Sequence, residues 1–469
     1  MKMHPEEDYS VVIRYWTTAI RRNPKNAGAY YKRGLVYNRT EQYAKAIEDF
    51  SMVIKLDISY KKVYTKRAVA YTCKGTYDLA IQDCIEAIRL DSQDLLAYTS
   101  RGVAYAITGK YELAIQDFSK AIEINPQYIF AYTTRGIVYN HQGDYEQAIR
   151  NYTIAIGYNP AYAAAYINRG IAYNRLGKYK QAIHDFSQAV RLVPKDIAAY
   201  MNRGIAYNCS GMYNQAIQDF TEAIRLDPNN ASVYNQRGLV YNQVGEYKQA
   251  IKDFTTAIEF DPGYVAAYTN RGVAYNATDQ YNQAVTDFTT SITLDSQYAP
   301  AYANRGATYT ATEKYDQALK DCTEAITLDP QYALAYASRG AVYNATDKYD
   351  QALKDCTQAI TLDPMFGHAY TTRGIAYANM GQHDQALIDY HKALELDPKD
   401  IQAYYNRGKT YYQQGEYDQA IQDFSIAIEL DPSDARVYYS RGDAYNHQGN
   451  TENAKADFAV AKQRQAKSR

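Results

Sequence analysis

Cysteine is scarce: five residues in 469, none in a Cys-x-x-Cys pair, too few and too scattered for a disulfide framework. A reducing, cytoplasmic setting is therefore expected. An excess of either charge is also missing. The 51 basic and 52 acidic side chains leave a net charge of −1, so no global field draws the chain to nucleic acid or anionic lipid. No apolar run approaches the roughly 20 residues that a membrane-spanning helix needs. The opening MKMHPEEDYS lacks an apolar stretch, so neither a membrane span nor a secretory leader is expected. The seven histidines fall in no metal-ligand spacing. No glycine-rich phosphate loop or Gly-x-Ser-x-Gly elbow occurs, and acidic residues form no isolated pair suited to proton transfer. No catalysis, metal or cofactor is expected. Tryptophan is nearly absent, with Trp16 alone, whereas there are 52 tyrosines.

What is present is a period. The pair Arg-Gly recurs from Arg33-Gly34 through Arg101-Gly102 to Arg441-Gly442 at steps of 34 residues or a multiple, and Arg67-Ala68 fills the one gap. With position 1 at Ala27, thirteen contiguous repeats run from Ala27 to Ser468 without insertion or deletion. Positions 4 and 11 are Tyr, and position 20 is Ala, in all thirteen; position 8 is Gly in twelve. Position 24 is aromatic in ten and Cys in the others, Cys84, Cys322 and Cys356; position 32 is Pro in nine. Apolar residues at 3, 4, 8, 10 and 11 mark one helix over about positions 1–14, and those at 17, 20, 21, 24, 27 and 28 mark a second. A Gly or Asp near position 15 separates them, and Asp-Pro ends the second, because proline cannot continue a helix. Small residues at 8 and 20 allow close approach of the two helices, and rings at 4, 11 and 24 fill the space between.

This pattern resembles the tetratricopeptide repeat family, whose signature has an aromatic at 4, Gly at 8, Tyr at 11, Ala at 20, Phe at 24, Ala at 27 and Pro at 32. The resemblance covers residues 27–468. It implies an all-α, right-handed superhelical solenoid of helix-turn-helix repeats that works as a protein-binding scaffold. Residues 1–26 precede the repeats, and the segment at about 9–22 matches a lone second helix, with Trp16 at position 24, Ala19 at 27 and Pro24 at 32, so a half-repeat cap is expected there. One column departs from the family: position 7, usually Leu, is arginine in every repeat. Position 23 is Asp in twelve, with Asn151 the exception, which predicts an Arg–Asp pair within a repeat or with the preceding one. Where Cys replaces the ring at position 24, packing is weaker, so repeats 9 and 10 are expected to open before repeats 5–7.

In the family the first helices line a concave face, and here positions 2, 5, 6, 9, 12 and 13 occupy one arc of the first helix. On that arc the amides recur: Asn140, Asn174, Asn208, Asn242, Asn276 and Asn344 at position 12, with Asn38 and Asn446 nearer the ends. Asn168, Asn202, Asn270, Asn304 and Asn406 stand at position 6, while position 9 is mostly Val, Ile, Leu or Ala. An amide offers donor and acceptor together, so such a ladder can hold the backbone of an extended peptide. The alternative is that position-12 Asn caps or bridges helices. A second candidate is a basic patch, Lys32, Arg39, Lys61, Lys62 and Lys66, suited to an acidic peptide. It does not match the family's carboxylate clamp, which wants Lys at 5 and Asn at 9, where this chain has Tyr31, Thr65, Leu35 and Val69. A protein or peptide partner is expected, with no nucleic acid. The competing reading is a structural solenoid whose ends or convex face mediate homo-oligomer formation, which concentration-dependent light scattering would reveal.

Overall fold

The computed structural model describes residues 5–467. Among the described residues there are 27 helices, numbered α1 to α27 along the chain, and no strand. Helix α1 (Pro5–Arg22) begins four residues earlier than the apolar pattern suggests. Proline is tolerated there because the first turn of a helix has no intrahelical use for its N–H. From α2 (Ala27–Arg39) and α3 (Tyr43–Leu56) to α26 (Ala435–His447) and α27 (Thr451–Lys467), even-numbered helices are the first helices of successive repeats and odd-numbered ones the second. Position 34 of the last repeat, Ser468, lies outside the described residues, as do Met1–His4. The chain forms two compact units, Met1–Pro228 and Asn229–Arg469.

Local chemistry explains the pairing. At position 15 a glycine takes the left-handed conformation that ends the first helix, as at Gly143 with φ 81°, a region that L side chains avoid. Glu41, Asp279, Glu313 and Asp347 are forced into the same region without that freedom, at φ 56–59°. In most repeats the second helix ends on an Asp or Asn whose side chain accepts the backbone N–H two residues on, as Asp329 does from Gln331. Within a repeat, the alanines at positions 20 and 27 are buried around the position-24 ring, for example Ala216 and Ala223 around Phe220. A Cβ on Gly204 would lie 2.8 Å from Phe220 Cε1, so glycine is what lets the ring lie flat against the first helix. Burying each such ring contributes about 1.5–3 kcal/mol.

Each arginine of column 7 pairs with the column-23 residue of its own repeat. In the first unit Arg33 Nε and Nη2 donate to Asp49 Oδ2 and Oδ1 at 2.8 and 2.7 Å, and in the second Arg271 does the same to Asp287 at 2.7 and 2.8 Å. The remaining Nη1 reaches back to the hydroxyl at position 25 of the preceding repeat: Arg67 to Ser51, Arg203 to Ser187, Arg271 to Thr255. Thr17 of α1 supplies that hydroxyl to Arg33 at 3.0 Å, so the polar lattice extends to the helix that precedes the first repeat. Arg101 and Arg407 show no such contact, because position 25 of the preceding repeat is Ile85 and His391. The guanidinium also lies over the tyrosines at positions 4 and 11, Arg203 standing 5.5 and 5.9 Å from the ring centres of Tyr200 and Tyr207. Two of the tyrosine columns thus act as faces for a cation as well as fillers of the core.

The cysteine repeats are compensated by closer helices. First helices α18 (Ala299–Ala311), α20 (Ala333–Ala345) and α22 (Gly367–Asn379) pack on one another more extensively than other successive first helices do. Small residues permit this: Ala303 and Ala337 at position 5 are fully buried, and Ala307 and Ala341 stand at position 9. The approach recovers part of the area lost with the ring.

Candidate functional site

In the first unit the first helices α2, α4 (Lys61–Cys73), α6 (Leu95–Ile107), α8 (Ile129–Gln142), α10 (Ala163–Arg175) and α12 (Ile197–Cys209) present one common face. Three clefts lie along it. One of about 370 Å³ sits between α6 and α8, lined by Val103, Ala106, Ile107, Thr134, Ile137 and His141 among others. A second, of about 320 Å³, sits between α4 and α6 and shares Val103 as a wall. A third, of about 950 Å³, holds Lys61, Lys62 and Lys66 and shares Leu96 and Tyr128 with the second. The three are therefore contiguous. Positions 9, 12 and 13 of the expected arc form walls of the first two, while positions 2 and 6 of that arc reach the third. Position 5 forms the floor, where Thr65 and Thr99 are almost completely buried.

The amides divide by position. At position 12, Asn38, Asn140, Asn174 and Asn208 in the first unit, and Asn242 and Asn344 in the second, turn Oδ1 inward, out of solvent and without a hydrogen-bond partner. Several of their Nδ2 groups make bridging contacts: Asn140 to Tyr152 Oη at 3.1 Å, Asn242 to the Asn270 carbonyl at 3.5 Å and Asn344 to the Thr372 carbonyl at 2.7 Å. Asn276 exchanges hydrogen bonds with Thr308 of the next repeat, and Asn446 is exposed. At position 6 the side chains are half-buried, and their Oδ1 atoms are not among those sealed from solvent. Nδ2 of Asn202, Asn304 and Asn406 donates to the carbonyl four residues back at 2.8 Å, which leaves each Oδ1 as the outward acceptor. Asn270 instead donates to Asn235 Oδ1 at 3.0 Å, and Asn168 is half-buried.

The structure gathers Lys61, Lys62 and Lys66 around the third cleft, and among the described residues none of them enters an ion pair. Lys32 is exposed on α2, and Arg39 lies 5.5 Å from the Tyr9 ring centre; neither lines the cleft. Burial, with Tyr60 beside it, raises the pKa of the Tyr31 hydroxyl on the cleft wall, so that ring stays neutral at physiological pH. Leu96 and Phe130 at position 2 and Tyr60 and Tyr128 at position 34 complete the walls. The two position-2 residues are local departures from a column that holds Ala in the following repeats, at Ala164 and Ala198, and that departure was the available signal. Among the described residues no three His, Cys, Asp or Glu side chains converge as metal ligands, and no helix is long and apolar enough to cross a membrane.

Helix hairpins of one length, stacked on a shared polar lattice and presenting one face of first helices, define an α-helical repeat protein of the interaction-scaffold class. The sequence comparisons make the class specific. Tetratricopeptide repeat profiles match residues 96–128, 197–230, 231–264, 299–332 and 333–366, with further profiles of that description at 134–197, 15–48, 254–286 and 435–465. A TPR repeat profile adds 376–415 and 408–449. The chain belongs to the tetratricopeptide repeat family. No curated protein matches it as a whole-sequence relative. Among solved structures it is similar to the Cut9–Hcn1 hetero-tetramer of the APC/C, with 17% identity, TM-score 0.58, and 97% of this chain and 90% of that chain covered. Yeast Tom70 aligns at 18% identity and TM-score 0.43, covering 94% of this chain and 99% of that one. MamA aligns at 27% identity and TM-score 0.34, covering 36% of this chain and 93% of that one. The first of these likenesses supports the all-α repeat fold.

Proposed function

We propose that the chain is a non-catalytic scaffold that holds an extended segment of a partner protein along the first-helix face of each unit. The observation that carries this reading is the fixed orientation of the position-6 amides. Because Nδ2 of Asn202, Asn304 and Asn406 is held by a carbonyl of its own helix, Oδ1 is presented outward in one direction, ready to accept a peptide N–H. Position 9 is apolar in most repeats, with Ile205 beside Asn202 and Ala307 beside Asn304, and exposed members such as Ile137 and Val273 supply area for side chains of the guest. The exposed free thiols of Cys73 and Cys209 suit a cytoplasmic setting. The position-12 amides enter this reading as the bridges that set helix spacing under the groove.

The test compares partner capture by the wild type and by an Asn168→Ala, Asn202→Ala, Asn304→Ala, Asn406→Ala variant whose helix content is unchanged. Proteins held by the wild type are expected to fall about tenfold or more in the variant, since several charge-free hydrogen bonds of ~1 kcal/mol are lost together. An identical set of captured proteins in identical amounts would reject the amide reading.

A further inference from the structure

We propose that the N-terminal unit docks a linear segment of a partner protein that carries a cluster of acidic residues followed or preceded by two bulky apolar side chains about three residues apart. This rests on the scaffold reading above and names the chemistry of one guest. The three clefts form a single track, because the first and second share Val103 and the second and third share Leu96 and Tyr128. The track changes character along its length. Its far end, between α6 and α8, is walled by Val103, Ile107, Ile137 and Ala106. Its near end opens on Lys61, Lys62 and Lys66.

The apolar end is under-covered for a surface of its size. Ile107 is 54% exposed, Phe130 43% and Ile137 36%. Contiguous exposed apolar side chains rimmed by polar ones mark a docking surface. The two apolar clefts lie on either side of α6, so their centres are separated by roughly one helix diameter, about 10 Å. Three residues of a polyproline II segment rise about that distance and return the side chain to the same face, which sets the spacing of the two apolar side chains in the guest.

Acid-free first helices are common to both units, α26 with Asp443 being the exception, but three lysines on one first helix occur only here, on α4. None of the first helices α2, α4, α6, α8, α10 and α12 contains Asp or Glu. Their column-7 arginines are taken up by the carboxylates of the second helices or, for Arg135, by Asn151. The unpaired charges left on the first helices are therefore positive. The third cleft also holds three turn aspartates, which keep their charge but have oxygens occupied by their own turns: Asp94 Oδ1 accepts from the amides of Leu96 and Ala97 and Oδ2 from Thr65, Asp57 accepts from Ser59, and Asp91 from Gln93. The lysine ammonium groups carry no such partner and stand where the carboxylates of a guest would meet them. A segment entering with its acids over α4 would place its apolar side chains against α6 and α8.

The experiment uses the full chain and a fluorescein-labelled octapeptide with three consecutive acidic residues, then leucine and phenylalanine three residues apart, read by anisotropy at low and high salt. Binding is expected, weakened by salt and about tenfold weaker for Lys62→Glu/Lys66→Glu. It is expected to be about tenfold weaker also for Ile107→Ser/Phe130→Ser, both exposed sites that leave the core untouched. Ile388→Ser, 68% exposed on a second helix of the other unit, should bind as the wild type does. In unmutated protein the peptide should slow alkylation of Cys73, which lines the middle cleft, and leave Cys209 unaffected. Binding weaker than about 1 mM, affinity indifferent to both double variants, or no protection of Cys73 would overturn the proposal. So would equal binding of anionic vesicles or RNA that needs the lysines but not Ile107 and Phe130, since that describes a non-selective basic surface. The position-6 amide test would stand or fall separately, because it reads different residues in both units.

Discussion

Arg203 and Asp219 stand sixteen residues apart and meet in a two-pronged ion pair, Nε to Oδ2 and Nη2 to Oδ1, both at 2.7 Å, with the third arm of the guanidinium on Ser187 at 3.1 Å. Both side chains are largely withdrawn from water, at 16% and 7% exposure. Desolvation pulls the Arg203 pKa down, but the hydrogen bond and charge of Asp219 more than reverse it, so the net shift is upward. Removing one partner leaves the other charge stranded, which costs far more than the pair itself contributes. Asp219→Ala is expected to destabilise by about 2–4 kcal/mol, and Arg203→Leu/Asp219→Ala by clearly less than the sum of the single changes. Denaturant unfolding of the four proteins in a double-mutant cycle measures the coupling; additive values would reject the pairing.

Repeat 4 offers the converse experiment. Arg135 donates Nε to Asn151 at 2.9 Å and has no carboxylate opposite it, and burial lowers its pKa where those of its column neighbours are raised. Asn151→Asp restores the pair found in the other repeats and is expected to stabilise the first unit by about 1 kcal/mol. A lowered or unchanged midpoint of urea unfolding would contradict this.

Strain and lost rings coincide in repeats 9 and 10, and the strain extends to repeat 8. Asp279, Glu313 and Asp347 hold left-handed backbone, and Cys322 and Cys356 replace the ring. Relieving the backbone with Glu313→Gly is expected to add about 1 kcal/mol. Burial pushes the thiols of Cys322 and Cys356 up to about 12, so in the closed state they do not react with alkylating reagents at neutral pH. Labelling at these two cysteines therefore reports opening. It should proceed faster than amide exchange in repeats 5–7, and slower in Glu313→Gly; equal or greater protection of repeats 9 and 10 would reject the weak-segment reading.

The tyrosine content predicts a sharp alkaline limit. Burial raises the Tyr332 hydroxyl to about 12 and those of Tyr152 and Tyr390 upward as well. A group whose folded pKa exceeds its unfolded value near 10 contributes stability that is complete below pH ~10 and is lost as pH climbs through the folded value. Helix content followed by circular dichroism should fall between about pH 10 and 12, together with the rise of tyrosinate absorbance. Full tyrosinate formation near pH 10 with helices intact would refute it.

Most of the fold was legible because the repeat makes every side chain testify thirteen times: a column at positions 7 and 23 demands an explanation that one Arg203 and one Asp219 would not. Which aspartate each arginine chooses was not legible, since positions 7 and 23 of the same and preceding repeats are equally plausible on paper. The hydroxyl contact at position 25 was hidden because Ser51, Thr153, Ile85 and His391 share no obvious type. The position-12 amides lie on the exposed arc of an isolated helix, yet neighbouring helices come close enough to seal Oδ1 of Asn174 and Asn208 from solvent. The basic patch was read from a cluster of letters, and only packing separates Lys62 and Lys66, which face one cleft, from Lys32 and Arg39, which do not.

Where position 25 of the preceding repeat offers a hydroxyl, the third arm of the guanidinium gives the array a direction. It reaches upstream, Arg67 to Ser51 and Arg203 to Ser187, as Arg33 does to Thr17 of α1. A chain synthesised from its N-terminus therefore finds most new arginines met by a hydroxyl that has already been made. Trimming hairpins from the tail leaves these upstream contacts in place, whereas trimming α1 from the head strips Arg33 of one acceptor. Shortened versions of this protein should tolerate loss at one end better than at the other, a polarity that a plain stack of apolar faces would not possess.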